Sequence, residues 1–343
     1  MEAASDAARG RAAGRPGATM VRELNRSITA RRDWARDFPA RTLLKVANDR
    51  RIRARLGRRY EASLDAHRPH LPRLGRLEQE IVAGLEAEGV VVTSLDALRV
   101  PNSARVIAAA RAMADDYAQE ARRRVAGGAD FVVVPPERIA AEPAIFEWGL
   151  DDRLLDVVET YLGLPVAYDG VCLNYTVADG REVSTRKWHR DWEDRRMLKI
   201  ALYLNDVDEG GGPFQLIRRL DTGQNDVHGF DYGLADDQEL ARRLGEGVGE
   251  DVVSCEGPAG TVFFADTARF FHRGKPATTR DRAALFFSYF ARRPRHPFFC
   301  ERSGMSRRDI AALAADLPPR QRAAAMWRRE LPALMRLIPP ARV

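Results

Sequence analysis

Few residues in this chain could do chemistry. It holds six histidines: His67, His70, His189, His228, His272 and His296. His67 and His70 lie in a Pro- and Arg-rich stretch and read as exposed. His296, between Arg295 and Pro297, reads as structural or exposed. His189 and His272 adjoin strand-like runs. His189 belongs to Trp188-His189-Arg190-Asp191-Trp192. In an extended segment positions 189 and 191 point to the same side, so an imidazole and a carboxylate can reach one metal ion. An HxD pair alone is commonplace and usually marks a surface ion pair. A third ligand, His272, completes the set if the runs Thr261–Phe264 and Ala283–Phe290 pair around it. Two histidines and one carboxylate on one face leave three coordination positions open, which suits non-haem Fe(II) oxygen chemistry.

Arg282 lies ten residues after His272, at the start of the run Ala283–Phe290. Alternation puts Arg282, Ala284, Phe286 and Ser288 on one face. A guanidinium there can pair bidentately with a carboxylate held near the metal. Arg280 has the same parity and is a rival. In the run Met197–Leu204, Lys199 shares parity with Met197, Ala201 and Tyr203. Leu198, Ile200, Leu202 and Leu204 make the opposite, apolar face. Lys199 therefore points away from the main packing layer, toward a barrel mouth. Asn174, on the preceding run, is a comparable candidate for a ligand contact. Trp188 and Trp192 have the opposite parity to the ligands and read as packing residues. Glu193-Asp194-Arg195-Arg196 reads as an exposed charge cluster. His228 reads as a loop histidine, with a substrate contact as the alternative.

The elements that must position these residues follow from length and pattern. At 343 residues and 45% hydrophobic content, one large domain with extensions or two modest domains is expected. Residues 1–19 have no periodicity and read as a disordered tail. Residues 20–75 read as a basic, partly helical extension, with Leu43, Leu44 and Val46 as apolar anchors. A domain over 76–300 opens with a helix through Leu77, Ile81 and Leu85, stopped by Gly89 before a strand at Val90–Val92. A second helix covers 103–125. Short β-rich runs follow at Phe131–Val134, Val166–Val177, Met197–Leu204, Pro213–Ile217, Val252–Ser254, Thr261–Phe264 and Ala283–Phe290. Turn signals such as Asp208–Pro213 and Gly257-Pro258 separate them. Helices first and many short strands after predict an α+β chain with an antiparallel sandwich or jelly roll. The long polar stretch 218–250 reads as a lid or substrate loop. Residues 301–343 read as a C-terminal helical tail, with Ser306 and Asp309 as a capping box.

Composition excludes several classes. No run of about eighteen apolar residues occurs, so no membrane-spanning helix is expected. The start lacks the apolar stretch of a secretory signal. Cys172, Cys255 and Cys300 are odd in number and far apart, which fits a reducing cytoplasm rather than a disulfide framework or a zinc site. GxSxG, P-loop, HExxH and CxxC motifs do not occur. The net charge of +6 comes with only four lysines, Lys45, Lys187, Lys199 and Lys275, among 55 basic residues. Such an arginine default reads as biased codon usage rather than as selection for a charged partner. Where lysine is nonetheless written, a compact ammonium suits the place better than a planar fork.

Taken in order, His189-x-Asp191, Gly211-Gly-Pro-Phe-Gln215, Gly260-Thr-Val-Phe-Phe264, His272-Arg-Gly and Arg282 resemble the phytanoyl-CoA dioxygenase-like branch of the Fe(II)/2-oxoglutarate oxygenases. The likeness covers roughly residues 76–296. It implies a double-stranded β-helix (jelly-roll, cupin-like) core flanked by helices. It implies Fe(II) held by His189, Asp191 and His272, and 2-oxoglutarate anchored by Arg282, with Lys199 and Asn174 as further contacts. It also implies O2 as cosubstrate, oxidation of a C–H bond of a small organic molecule, and release of succinate and CO2. In related halogenases a small residue replaces the carboxylate; Asp191 points instead to hydroxylation or another C–H oxidation. Arg218-Arg219 departs from the family pattern, which often has a Pro-Gly-Ser-His turn there. Three rivals stand beside this reading. One is an oxygenase acting on nucleic acid gripped by residues 20–75. Another is a jelly-roll binding module without activity. The third is a metal enzyme of the same barrel class that ignores 2-oxoglutarate. No feature of the sequence specifies an oligomer or a substrate.

Overall fold

Strict alternation gives each long strand two buried faces. In the run Leu198–Tyr203, Leu198, Ile200 and Leu202 join a core beneath the helices, while Ala201 and Tyr203 join a second core between two sheets. In Arg282–Ala291 the split is Leu285, Phe287 and Tyr289 against Ala284 and Phe286. Phe263, Phe264, Phe287 and Phe290 are fully buried, each favouring the fold by about 1.5–3 kcal/mol relative to exposure.

The computed structural model describes residues 37–220 and 233–340. Eight strands are named: β1 (Val90–Ser94), β2 (Val166–Thr176), β3 (Leu198–Tyr203), β4 (Phe214–Ile217), β5 (Val252–Cys255), β6 (Thr261–Asp266), β7 (His272–Gly274) and β8 (Arg282–Ala291). They form a larger sheet in the order β1-β6-β3-β8-β2 and a smaller one in the order β5-β4-β7, antiparallel throughout. From β2 onward the chain crosses between sheets. β2, β3, β6 and β8 lie in the larger sheet, β4, β5 and β7 in the smaller, and His189 bridges to His272 beside β7. This alternation is the winding of a double-stranded β-helix, a jelly roll with its core between the sheets. Together with the helices it makes an α+β chain.

Helices cover the outer face of the larger sheet. The Arg76–Glu88 helix ends at Gly89 and leads directly into β1. Ser103–Ala126 buries Val106, Ala110, Ala114 and Tyr117, a run at helical spacing. Asp152–Leu162 is capped by Asp151, whose side chain accepts from the Arg153 amide. Helical residues 37–48 bring Ala40 and Leu44 against Trp192, Phe298, Phe299 and Ile338. The next helix, Arg50–His67, buries none of its residues. Beyond β8, Asp169 of β2 accepts from the Glu301 and Arg302 amides at 2.8 Å each, which pins the C-terminal segment to the sheet. Ser306 caps the Arg307–Leu313 helix through the Asp309 amide, as its spacing predicts. No helix among the described residues is long and apolar enough to cross a membrane.

Several expectations need correction. Phe131–Val134 is not a strand; it contributes one bridge, Val133 to Asn174. β6 and β8 do not pair with each other, because β3 lies between them. His272 sits instead on β7, in the other sheet. Glu193 and Asp194 are buried, not exposed. Asp194 accepts from the amides of Arg195, Ala291 and Arg295, and Glu193 from the Trp192 amide, so they satisfy backbone donors that local polarity could not reveal. His67 is largely covered and meets Glu159 at 2.9 Å. His296 follows the structural of its two readings: it is buried and donates from Nδ1 to the Trp192 carbonyl at 2.6 Å. Val46 is exposed and anchors nothing. The tail 1–19, the first part of the basic extension, and His228 in the 218–250 loop lie outside the described residues.

Candidate metal centre

His189 and His272 face each other as an antiparallel pair. His189 N donates to His272 O at 3.0 Å, and His272 N donates back to His189 O at 2.9 Å. Asp191 N donates to Thr267 O at 2.8 Å. The backbone of all three residues is therefore tied to one short stretch, 267–272. The ring of His189 donates from Nδ1 to the Lys187 carbonyl at 2.8 Å, and that of His272 from Nδ1 to the Phe270 carbonyl at 3.3 Å. A carbonyl can only accept, so each neutral ring keeps its Nε2 lone pair for the site. Phe214 stacks on His272, with ring centroids 5.5 Å apart.

The structure brings His189, Asp191 and His272 together. All three are buried, and one ligand atom from each lies within 4.8 Å of the others. Burial pulls both imidazoles below their ordinary value, His272 farther because His189 stands beside it. Both are thus neutral at pH 7, the state a metal ligand needs. Burial alone would raise the Asp191 carboxyl, but the Lys199 ammonium outweighs it and holds it below the usual range. Two neutral imidazoles and a carboxylate, buried and closely grouped, are a donor set that fits Fe(II). Lys199 comes from β3 and places Nζ 2.6 Å from Asp191 Oδ2.

Arg282, at the start of β8, is 6% exposed and lies between the sheets. Its guanidinium donates to the Gly212 carbonyl and, at 3.2 Å, to Thr176 Oγ1. Tyr203 stands close by, Nε has no partner, and no carboxylate of the described residues pairs with it. A buried cation without a counter-ion is costly unless an anionic ligand completes it. Burial accordingly pulls the guanidinium below its ordinary value. Arg280, the rival, is about half exposed and meets Asp208 at 2.9 Å on the surface.

The Gly-rich motif now has a physical account. Gly212 has φ +70, and a Cβ there would stand 2.5 Å from the Lys275 carbonyl oxygen. This turn aims the Gly212 carbonyl at Arg282. A Cβ on Gly274 would stand 2.9 Å from Arg282 Nη2. Gly274 lies two residues from His272 on β7, roughly 7 Å along the strand. The guanidinium and the imidazole therefore lie on the same inner side of β7.

Asn174 shares this interior face with Cys172 and Thr176, all three only partly buried, and its Oδ1 has no partner. Trp188 packs with Ile217, Leu240 and Phe271, while Trp192 stacks on Phe299 at 4.4 Å. Both are packing residues. The described part of the 218–250 loop reaches the site's flank. Ala235 pairs with Trp188, and Asp237 accepts from the Trp188 indole at 2.6 Å. Thr176, Tyr203, Gly212 and Gly274 were not singled out as Arg282 partners by sequence reasoning; strand parity was the available signal for the first two. A separate cavity of about 700 Å³, lined by Val100, Trp148, Asp309 and Leu317 among others, lies among the outer helices and includes none of the triad.

No family model matches the chain, and no curated protein matches it. Solved structures do. EctD from S. alaskensis, with 2-oxoglutarate and 5-hydroxyectoine, is 24% identical over 65% of this chain and 79% of its own, with a TM-score of 0.42. HygX from Streptomyces hygroscopicus, with nickel and 2-oxoglutarate bound, is 17% identical over 64% of this chain and 88% of its own, at 0.38. The non-heme alpha ketoglutarate dependent epimerase SnoN from nogalamycin biosynthesis is 17% identical over 71% and 90%, at 0.36. Likeness at these TM-scores is not evidence of a shared activity.

Proposed function

We propose that this chain is an Fe(II)- and 2-oxoglutarate-dependent oxygenase that oxidises a C–H bond of a small organic molecule. The observation that carries this reading is the pairing of two features. A buried His189–Asp191–His272 set lies on the same inner side of β7 as the buried guanidinium of Arg282, which has no carboxylate partner among the described residues. A metal site alone would leave Arg282 unexplained; an anion site alone would leave the triad unexplained.

Fe(II), when bound, supplies the redox chemistry that couples decarboxylation of 2-oxoglutarate by O2, giving succinate and CO2, to oxidation of the substrate. The protein's part follows from its own groups. His189 and His272 present lone pairs fixed by the Lys187 and Phe270 carbonyls. Asp191 supplies the anionic ligand, which favours hydroxylation or another C–H oxidation over halogenation. Arg282 takes the distal carboxylate of 2-oxoglutarate with Thr176 and Tyr203 beside it, in a setting where a charge-assisted pair is strong. Phe214, Phe263 and Phe286, packed together between the sheets, give these groups apolar surroundings. Asn174 offers an unpartnered acceptor to a bound molecule, and Ala235, paired with Trp188, brings the described part of the 218–250 segment to the flank of His189, where a substrate contact would be made. The three free, separated cysteines favour a reducing compartment such as the cytoplasm.

Succinate formation tests this. With Fe(II), ascorbate, O2 and 2-oxoglutarate, the protein should form succinate slowly even without its substrate, as read by proton NMR. His189→Ala and Asp191→Ala should not. Equal succinate in all three proteins, at the level of a protein-free control, would end the reading.

A further inference from the structure

Arginine is the default base of this chain, yet one of its four lysines stands inside the site. Lys199 is placed by β3 opposite Ser288 of β8 and Ala265 of β6, on the interior face. Its Nζ lies 2.6 Å from Asp191 Oδ2. The same oxygen lies 3.9 Å from His272 Nε2. The ammonium therefore holds the carboxylate oxygen that is turned toward the histidine ligands, the one a metal ion shared with His272 would use.

We propose that Lys199 is a built-in substitute cation. It neutralises Asp191 while the site carries no ion, and it must leave Oδ2 for an ion to enter. The proposal rests on the triad being the metal centre.

Three physical points support it. A buried carboxylate without a positive partner is strongly unfavourable, so the metal-free site needs a cation to stay formed. An ammonium and a divalent ion on one oxygen of a dry pocket repel each other, so both cannot hold it on equal terms. Lysine suits an exchange. Its charge is compact and its stem flexible, whereas arginine would clamp the carboxylate with a rigid fork. The geometry also provides somewhere to go. The Lys199 side chain is 21% exposed where that of Asp191 is 4%, so the ammonium can turn toward solvent. Metal affinity is then set by a competition within the protein, and the site is preformed before the ion arrives.

The test is Mn(II) binding to the full-length, metal-free protein at fixed pH, read from the EPR signal of free Mn(II). Lys199→Gln removes the charge and keeps a polar chain of similar length; Lys199→Met removes both. Each should bind Mn(II) at least about tenfold more tightly than the wild type, the loss of one competing ion pair. Lys199→Arg should bind no more tightly than the wild type. The metal-free Gln and Met variants should melt below the metal-free wild type, and the Mn(II)-loaded forms should melt together. If Lys199→Met does not accumulate, Lys199→Gln carries the comparison. Unchanged or weaker Mn(II) binding in a folded Lys199→Gln protein would overturn the proposal and leave the metal centre standing. A wild type that binds no Mn(II), Fe(II) or Co(II) would remove both.

Discussion

Removing the Arg282 guanidinium should cost the protein its keto acid while sparing its metal. The side chain is buried, donates to Gly212 O and Thr176 Oγ1, and has no carboxylate partner among the described residues. A bound 2-oxoglutarate carboxylate would thus be its counter-ion. Truncating one partner of a buried, hydrogen-bonded charge pair costs about 2–5 kcal/mol. At about 1.4 kcal/mol per decade, the dissociation constant for 2-oxoglutarate rises roughly thirty-fold to a few thousand-fold. Arg282→Ala should therefore lose most 2-oxoglutarate binding in calorimetry on the Mn(II)-loaded protein, with Mn(II) affinity changed by less than about threefold, since Arg282 touches no member of the triad. Arg282→Lys keeps the charge and loses the fork, so it should fall between. Arg280→Ala breaks an exposed pair and should change binding by no more than about twofold. Wild-type affinity in a folded Arg282→Ala protein would refute the reasoning. So would a larger loss from Arg280→Ala than from Arg282→Ala.

Three further outcomes follow from the structure. Burial pushes His296 down to about 4, against the pull of its bond to the Trp192 carbonyl. Below pH 6.5 the unfolded chain takes a proton that the folded chain refuses, so this histidine lowers stability between pH 6.5 and about 4 and not above. In urea titrations the stability gap between wild type and His296→Asn should narrow from pH 7.5 to pH 4.5; a gap that widens contradicts the sign. Trp192→Ala removes a ring stacked on Phe299 at the base of Asp191 and should cost about 3–5 kcal/mol in the same titration at pH 7.5. Leu44→Ala, in the helical residues packed on that ring, should cost about 2–5 kcal/mol. An unchanged midpoint there would mean that the N-terminal helix is not part of the folded core.

The site was more legible than the scaffold. HxD spacing and the parity of β8 depend only on where side chains point along one strand, and period two makes that readable. Neighbour relations depend on sheet order. β3 lies between β6 and β8, so a histidine imagined between those two strands falls instead on β7. With three residues, β7 is too short for any periodic signal. The partners of Arg282 come from β2, β3 and the turn before β4, and no local pattern joins them. Glu193 and Asp194 look like surface charge in sequence because their reason for burial is distant. The Ala291 and Arg295 amides at the end of β8 need an acceptor, and Asp194 supplies it. Val46 looks like an anchor beside Leu44, but two residues along a helix is about 200° of rotation, enough to turn it to solvent.

The central claim is that one site between the sheets holds both a metal and a keto acid. The most direct measurement is an anaerobic titration of the Fe(II)-loaded protein with 2-oxoglutarate, following visible absorption. The account predicts a metal-to-ligand charge-transfer band that saturates in the wild type, is weakened in Asp191→Ala and needs far more 2-oxoglutarate in Arg282→Ala. Fe(II) binding with no band at any concentration would contradict it and leave a metal enzyme of this fold that does not use 2-oxoglutarate.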